Sequence, residues 1–285
     1  MKHNNLVTND EVIKYYNECW LPRFENGHNP MSLAMHMGVF VENNTQNDTA
    51  KLYANEFISI HLNIPDNKEI SIADFGCGVG GTCLYFAEKF PKAKTKGINI
   101  SPSQIMFANK IKEEKRIFEQ IEYIVTDYSD TKLPAAQFDF VIGVESICHA
   151  PNKYTVFKEA FRILKPQGVF AFMDYFEVRN TETAQEEDLL QAFRKGWAVG
   201  EYIKNYEILL TEAGFKNISA ISVLDKVYQG IIHSYYKAKD KMNSNDFFEL
   251  SLALQNHYKA CIALKELVDR KIIEYKIVTA TKLNT

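Results

Sequence analysis

The stretch Ala73–Gly81, ADFGCGVGG, decides the fold. It continues the apolar run Ile70–Ala73, so ISIADF reads as a buried strand. A cluster of glycines follows at 76, 78, 80 and 81. Gly76, Gly78 and Gly81 satisfy G-x-G-x-x-G, while Asp74, Gly76, Gly78 and Gly80 satisfy D-x-G-x-G-x-G. In either spacing a strand turns tightly into a helix. Bare backbone then passes close to a nucleoside, and free amides open the helix. A tight turn without a ligand stays open as the plainer reading. A dinucleotide fingerprint needs an acid about twenty residues on. Here the second strand ends at Asn99, which is neutral, and roughly seventy residues precede the glycines. Both features point away from a nicotinamide fold.

Working outward, strand-length apolar runs alternate with amphipathic helices. KGINI, IEYIVTD, FDFVIGVE and GVFAFMDYF are strands. Residues 81–90, SQIMFANKIKEEK and YTVFKEAFRIL are helices. This alternation predicts an α/β fold: a Rossmann-like, mostly parallel seven-stranded sheet with helices on both faces. Helices at AQEEDLLQAFRKG and 201–213, a strand at ISAISVL, helices at VYQGIIHSYYKAKDKM and DFFELSLALQNHYKACIALKELVDR, and the alternating strand IIEYKIVTATK complete it. Upstream, residues 8–62 read as helical, with Thr8 or Asn9 as a cap and Pro22 near the first helix end. MSLAMHMGVF fits helix or loop equally. The expected organisation is a helical N-terminal cap at 1–66 and a cofactor-binding core at 67–225, completed by 272–285. A helical insert at 226–271, before the last strand, would act as a lid.

Composition narrows the function. With 46% hydrophobic and 24% charged residues the 285-residue chain can bury a full core. A net charge of -3 without a long basic run disfavours a nucleic-acid partner. Five cysteines, at 19, 77, 83, 148 and 261, lack zinc spacing and read as free thiols in a reducing compartment. No metal site is expected. The N-terminus lacks the apolar stretch of a signal peptide, and no apolar run approaches ~18 residues. A cytoplasmic protein with no membrane span is expected, with a small-molecule acceptor as partner and homo-oligomer formation left open.

ADFGCGVGG, GINISPSQI, TDYSDTKLPAAQFDFVIGVES, FKEAFRILKPQGVF and LLTEAGF occur in this order and spacing. Together they resemble class I S-adenosylmethionine-dependent methyltransferases over roughly residues 50–224 and, with the closing strand, nearly the whole core. The resemblance implies S-adenosyl-L-methionine as cofactor. It implies Asp74, Gly76 and Gly78 at the methionine end, Asn99 and Gln104 near the ribose, and Asp127 with Tyr128 bordering the adenine. Gly143, Val144 and Glu145 would border the methyl-transfer region. Asn99 stands where the family usually carries an acid.

Within that family VESICHAP, Val144–Pro151, resembles sterol C-methyltransferases, and prenyl-diphosphate C-methyltransferases also place a Glu there as base. Tyr15–Tyr16 and MHMGVF (35–40) resemble the N-terminal aromatic segment of such enzymes, without the Trp- and Tyr-rich pattern of sterol enzymes. The resemblance therefore implies C-methylation of an isoprenoid-like alkene. Glu145 at the carboxyl end of a strand lies where open α/β sheets bind ligands. It is expected to be the catalytic base; holding an ammonium or hydroxyl, or a structural role, stays open. His149 is expected to relay a proton or to bond the N-terminal segment. Tyr16, His36, Asp174 and Tyr175 are expected to contact the substrate. Arg23, Arg194 and Lys195 are available for an acceptor diphosphate. An N- or O-methyltransferase with Glu145 as acceptor ligand is the alternative, followed by a non-catalytic nucleotide-binding protein and a nicotinamide oxidoreductase.

Overall fold

The computed structural model describes residues 7–27, 29–42, 45–65, 67–117, 119–200 and 203–284. Its centre is a seven-stranded sheet in the order β3-β2-β1-β4-β5-β7-β6. The strands are β1 (Ile70–Phe75), β2 (Ala93–Asn99), β3 (Ile121–Val125), β4 (Phe138–Val144), β5 (Leu164–Glu177), β6 (Lys216–Ser222) and β7 (Ile273–Thr281). The first five pair in parallel, while β7 runs antiparallel to both β5 and β6. The chain order reverses at β1, with β2 on one side and β4 on the other. In open sheets such a switch point opens a crevice at the strands' carboxyl ends.

Period-two alternation sends each strand's side chains to two cores. On β5, Phe170, Phe172 and Phe176 join one cluster, while Ala171, Met173 and Tyr175 join the other. The three phenylalanines are at most 1% exposed. Burial of that kind stabilises by roughly 1.5–3 kcal/mol per side chain. Helices α6 (Lys153–Ile163) and α8 (Tyr206–Ala213) cover the first face. The second face is covered by α3 (Asn47–His61), α7 (Ala184–Trp197), α9 (Leu224–Met242) and α10 (Leu252–Asp269). Helices α4 (Gly81–Lys89) and α5 (Pro102–Lys115) follow β1 and β2.

The N-terminal helix α1 (Asn9–Cys19) starts from a capping box, in which Thr8 caps Glu11 and Glu11 returns the bond. A short α2 (Leu21–Glu25) follows. Residues 31–40 form neither helix nor strand. Long-range bonds hold them instead: Ala34 O accepts from Asn29 and Lys51, Val39 N donates to Ala50 O, and Phe40 N donates to Lys226 O.

Three boundaries differ from the sequence expectation. The ISAISVL strand starts earlier, at Lys216, and Leu224 already opens α9. The last helix starts at Leu252, capped by Ser251, because Phe247–Glu249 makes a separate 3-10 turn. The helix expected at 201–213 begins at Tyr206, and residues 201–202 lie outside the described residues. Among the described residues no helix is long and apolar enough to cross a membrane.

Candidate active site

A cavity of about 550 Å³ opens at the carboxyl ends of β1, β2 and β4. The sheet edge forms its floor, and α1, the 31–40 segment, α9 and α10 contribute its roof.

The glycine loop is the barest part of the floor. Gly76 and Gly78 take φ of 77° and 56°, the left-handed region that favours glycine. A Cβ on Gly76 would lie 2.4 Å from Ser146 Cβ. Asp74 is 2% exposed, and Cys83 Sγ, at 3.4 Å, is its side-chain donor. Burial pushes its carboxyl up to about 7. A buried carboxylate answered by a single thiol can still accept from a ligand cation. Asn99 Nδ2 donates to Gln104 Oε1 at 2.6 Å and to Gly78 O at 3.2 Å, tying the end of β2 to the loop. Asp127 is already engaged: Oδ2 accepts from Asn9 Nδ2 at 2.8 Å and Oδ1 from Ser129 N at 2.7 Å. Tyr128 donates to Ser146 O at 2.7 Å and stacks on Phe75, so its phenol braces the loop after β4. Val144 and Asp127 both line the cavity.

Glu145 follows β4 with φ of 47°, a strained conformation for a residue with a side chain. Its N–H donates to Met173 O at 2.8 Å, so the strand pairing continues through the strained residue. Oε1 accepts from Met37 N at 2.6 Å and from Tyr275 OH at 2.9 Å. Oε2 takes neither bond, and the residue lines the cavity. Burial pushes the carboxyl up to about 8, against the lowering effect of the Met37 amide.

His149 joins the floor to the roof. Its Nδ1 lies 2.9 Å from Ala198 O, and a carbonyl only accepts, so Nδ1 carries the proton. Nε2 then accepts from Tyr16 OH at 2.7 Å. Burial lowers the imidazole to about 4 and keeps it neutral. Beside it Tyr15 OH accepts from Trp20 Nε1 at 3.1 Å and faces His257 Nδ1 at 2.9 Å. Ser101 Oγ and Asn17 Oδ1 are 3.2 Å apart. With Asn9 on Asp127, α1 is tethered at four points around the cavity.

The remaining expectations divide. His36 lines the cavity; its Nδ1 donates to Met37 O at 2.9 Å, and its buried Nε2 has no partner among the described residues. Tyr175 lines the cavity with a buried hydroxyl that has no partner among the described residues. Asp174 departs from the expected substrate contact. It is 0% exposed, does not line the cavity, and accepts from Cys148 N at 2.9 Å and Tyr175 N at 2.8 Å. Strand alternation turns it from its neighbour Tyr175, and it braces the 3-10 turn Ile147–His149 instead. Arg23 reaches the cavity. Arg194 faces Glu177 at 3.6 Å, and neither it nor Lys195 lines the cavity. Sequence reasoning missed Met37 N–H and Tyr275 as partners of Glu145, and Lys51 and Lys237 as cavity cations. Tyr275 had one readable signal, an aromatic on the closing strand. Among the described residues no group of three His, Cys, Asp or Glu is arranged to hold a metal ion.

Residues 73–172 match the family described as a methyltransferase domain. A sterol 24-C-methyltransferase of Eremothecium gossypii is 34% identical over 116 residues, 41% of this chain and 31% of that protein. An ajmaline N-methyltransferase of Rauvolfia serpentina is 34% identical over 99 residues, 35% of this chain and 34% of that protein. The aligned part spans about a third of these curated relatives' length. Geranyl diphosphate C-methyltransferase of Streptomyces coelicolor, solved with Mg2+, geranyl diphosphate and S-adenosyl-L-homocysteine, shares the fold. The two superpose with a TM-score of 0.73 at 14% identity, over 96% of this chain and 97% of that one.

Proposed function

We propose that the chain is an S-adenosylmethionine-dependent methyltransferase similar to the sterol and prenyl-diphosphate C-methyltransferase group, and that it methylates an alkene carbon of a small isoprenoid-like acceptor, with Glu145 as base. The floor fits the cofactor. Asp74 is a buried carboxylate suited to an ammonium, Gly76 and Gly78 leave backbone bare for close approach, and Asn99 with Gln104 offers polar contacts at the end of β2. When bound, the cofactor supplies a methyl group activated on a sulfonium.

The observation that carries the reading is the setting of Glu145. Both hydrogen bonds fall on Oε1, so Met37 and Tyr275 fix the carboxyl group while Oε2 is left for the acceptor. A base works best when its pKa lies near the working pH, and burial has moved this one to about 8. A cation beside it favours the carboxylate form. Glu145 would thus take the proton that an alkylated alkene must lose. Tyr175, Tyr16 and Trp20 offer ring surface along the cavity, and each ring stabilises a nearby cation by roughly 0.5–2 kcal/mol. The Tyr16–His149 bond holds α1 over the site and limits water there. His149, neutral and bonded on both nitrogens, acts in this reading as the anchor of α1.

Transfer to nitrogen is the second reading, favoured by the ajmaline N-methyltransferase likeness. Glu145 would then hold an amine. Glu145→Gln separates base from scaffold. Turnover should fall by about 10²–10⁴-fold, the usual contribution of a positioned base, while calorimetric affinity for S-adenosylhomocysteine stays unchanged. Turnover within threefold of wild type would overturn the base.

A further inference from the structure

Segment 31–40 is neither helix nor strand, yet it delivers Met37 N–H to Glu145 Oε1 at 2.6 Å. One turn of α3 holds it in place. Asp48 accepts from Met31 N at 3.0 Å and from Ser32 N at 3.1 Å. Lys51 Nζ donates to Ala34 O at 2.8 Å, a carbonyl it shares with Asn29 Nδ2. Ala50 O accepts from Val39 N at 2.8 Å. The segment lies flush on the helix, since a Cβ on Gly38 would stand 2.4 Å from Ala50 Cβ. Asp48 and Ala50 hold the two ends of the stretch, and Lys51 holds the part between them.

Lys51 is 4% exposed and lines the cavity together with Glu145. A buried ammonium persists only where something replaces its water. The Ala34 carbonyl and the Trp20 ring, 5.7 Å from Nζ, supply part of that. Charge supplies more. Glu145 and Asp48 favour the ammonium, against burial and against repulsion from Arg23 and Lys237. The influence is mutual: burial and Asp174 push the Glu145 carboxyl up, and the Lys51 ammonium draws it back down. The other titratable groups acting on or facing Glu145 are Tyr275, Tyr175, Tyr16 and Cys148, and burial keeps each of them protonated and neutral. Lys51 is therefore the cation that bears on Glu145 from across the cavity.

We propose that Lys51 is a positioning residue for Glu145: it pins segment 31–40 so that Met37 N–H meets Oε1, and its charge favours the carboxylate form. The proposal rests on the reading of Glu145 as the base and names what keeps that base aimed and ready. One side chain on α3 thus couples the roof segment to the carboxylate at the end of β4. The link acts through the Met37 amide and through the cavity, with no direct contact between the two side chains.

Titration of Glu145 tests this without any acceptor. The cofactor-free full chain carries carbon-13 at its glutamate carboxyls, and the NMR signal missing from Glu145→Gln belongs to Glu145. Lys51→Met should raise the proton affinity of Glu145 about three- to tenfold, because an opposite charge has left a partly dry site. The amide protons of residues 34–39 should also exchange at least about threefold faster, the scale of one lost hydrogen bond. Lys51→Gln keeps a donor for Ala34 O without the charge, so it should show the first effect and not the second. Lys51→Arg keeps both and should show neither. Glu145 proton affinity within about twofold of wild type in Lys51→Met, or unchanged exchange there, would overturn the proposal. If Lys51→Met fails to fold by circular dichroism, Lys51→Gln decides, and an unmoved Glu145 titration in it would overturn the proposal. A Glu145→Gln variant as active as wild type would instead overturn the base reading alone.

Discussion

The floor and the roof of the cavity are built by different physics. On the floor, backbone pairing does the placing: Asp74, Asn99 and Glu145 stand at the ends of adjacent parallel strands, and register sets their spacing. On the roof, helix α1 and the 31–40 segment are held by scattered side-chain bonds, Tyr16 to His149, Asn9 to Asp127 and Lys51 to Ala34. A floor of this kind tolerates the loss of one side chain without moving. A roof of this kind can lose one tether and open. Under the proposed function, the difference assigns the cofactor to the sheet edge and the admission and orientation of the acceptor to the helices above it.

Substitutions on each side sharpen this contrast. The largest effect belongs to the floor, where Glu145→Gln should remove most turnover and leave the cofactor bound. Next is Asp74→Asn, which keeps the shape but removes the charge proposed to meet an ammonium. S-adenosylhomocysteine affinity measured by calorimetry should fall by about 10–100-fold, the scale of a hydrogen bond to a charged group. On the roof, Tyr16→Phe deletes one hydroxyl and leaves His149 Nε2 unanswered. Steady-state kinetics should show kcat/KM down about tenfold, with S-adenosylhomocysteine affinity within threefold of wild type. Loss of cofactor affinity in Tyr16→Phe would erase the division between floor and roof.

The smallest effect is the pH dependence of the cofactor-free protein. Glu145 and Asp74 have folded-state values raised to about 8 and 7. The native state therefore keeps protons that the unfolded chain has released, and stability falls as pH rises from about 4.5 through 8. His36, His149 and His257 are lowered to about 4, 4 and 3, so stability also falls as pH drops from about 6.5 through 3. Thermal melting should peak between about pH 5 and 6.5, and Glu145→Gln should flatten the alkaline side. A variant with an unchanged alkaline side would contradict the buried setting of Glu145.

The floor was far more legible in sequence than the roof. Local signals placed it: ISIADF before four glycines within six residues, and FDFVIGVE ending on an acid. Strand β7 showed its alternation directly, and β5 showed as an apolar run of strand length. Asp174 was the exception, because the same alternation that aims Tyr175 at the cavity turns its neighbour away, and the sequence does not say which of two adjacent residues faces the ligand. The segment 31–40 was illegible because its bonds are long-range, to Ala50, Glu145 and Lys226, and no period records such partners. Lys51 and Lys237 lie on helices far apart in the chain, and only folding brings them to one cavity with Arg23. The start of α10 was misplaced for a local reason: Ser251 interrupts an apolar pattern that otherwise continues from Phe247.

The central claim is that Glu145 serves transfer to carbon. The most direct measurement incubates the full chain with S-adenosylmethionine labelled with carbon-13 at the methyl group and a panel of isoprenoid alkenes, amines and phenols. Carbon-13 NMR then locates the label in the product. The account predicts the label on a carbon of an alkene-derived product, formed by wild type and not by Glu145→Gln. A label found on nitrogen or oxygen, or on carbon with the variant as active as wild type, would contradict it.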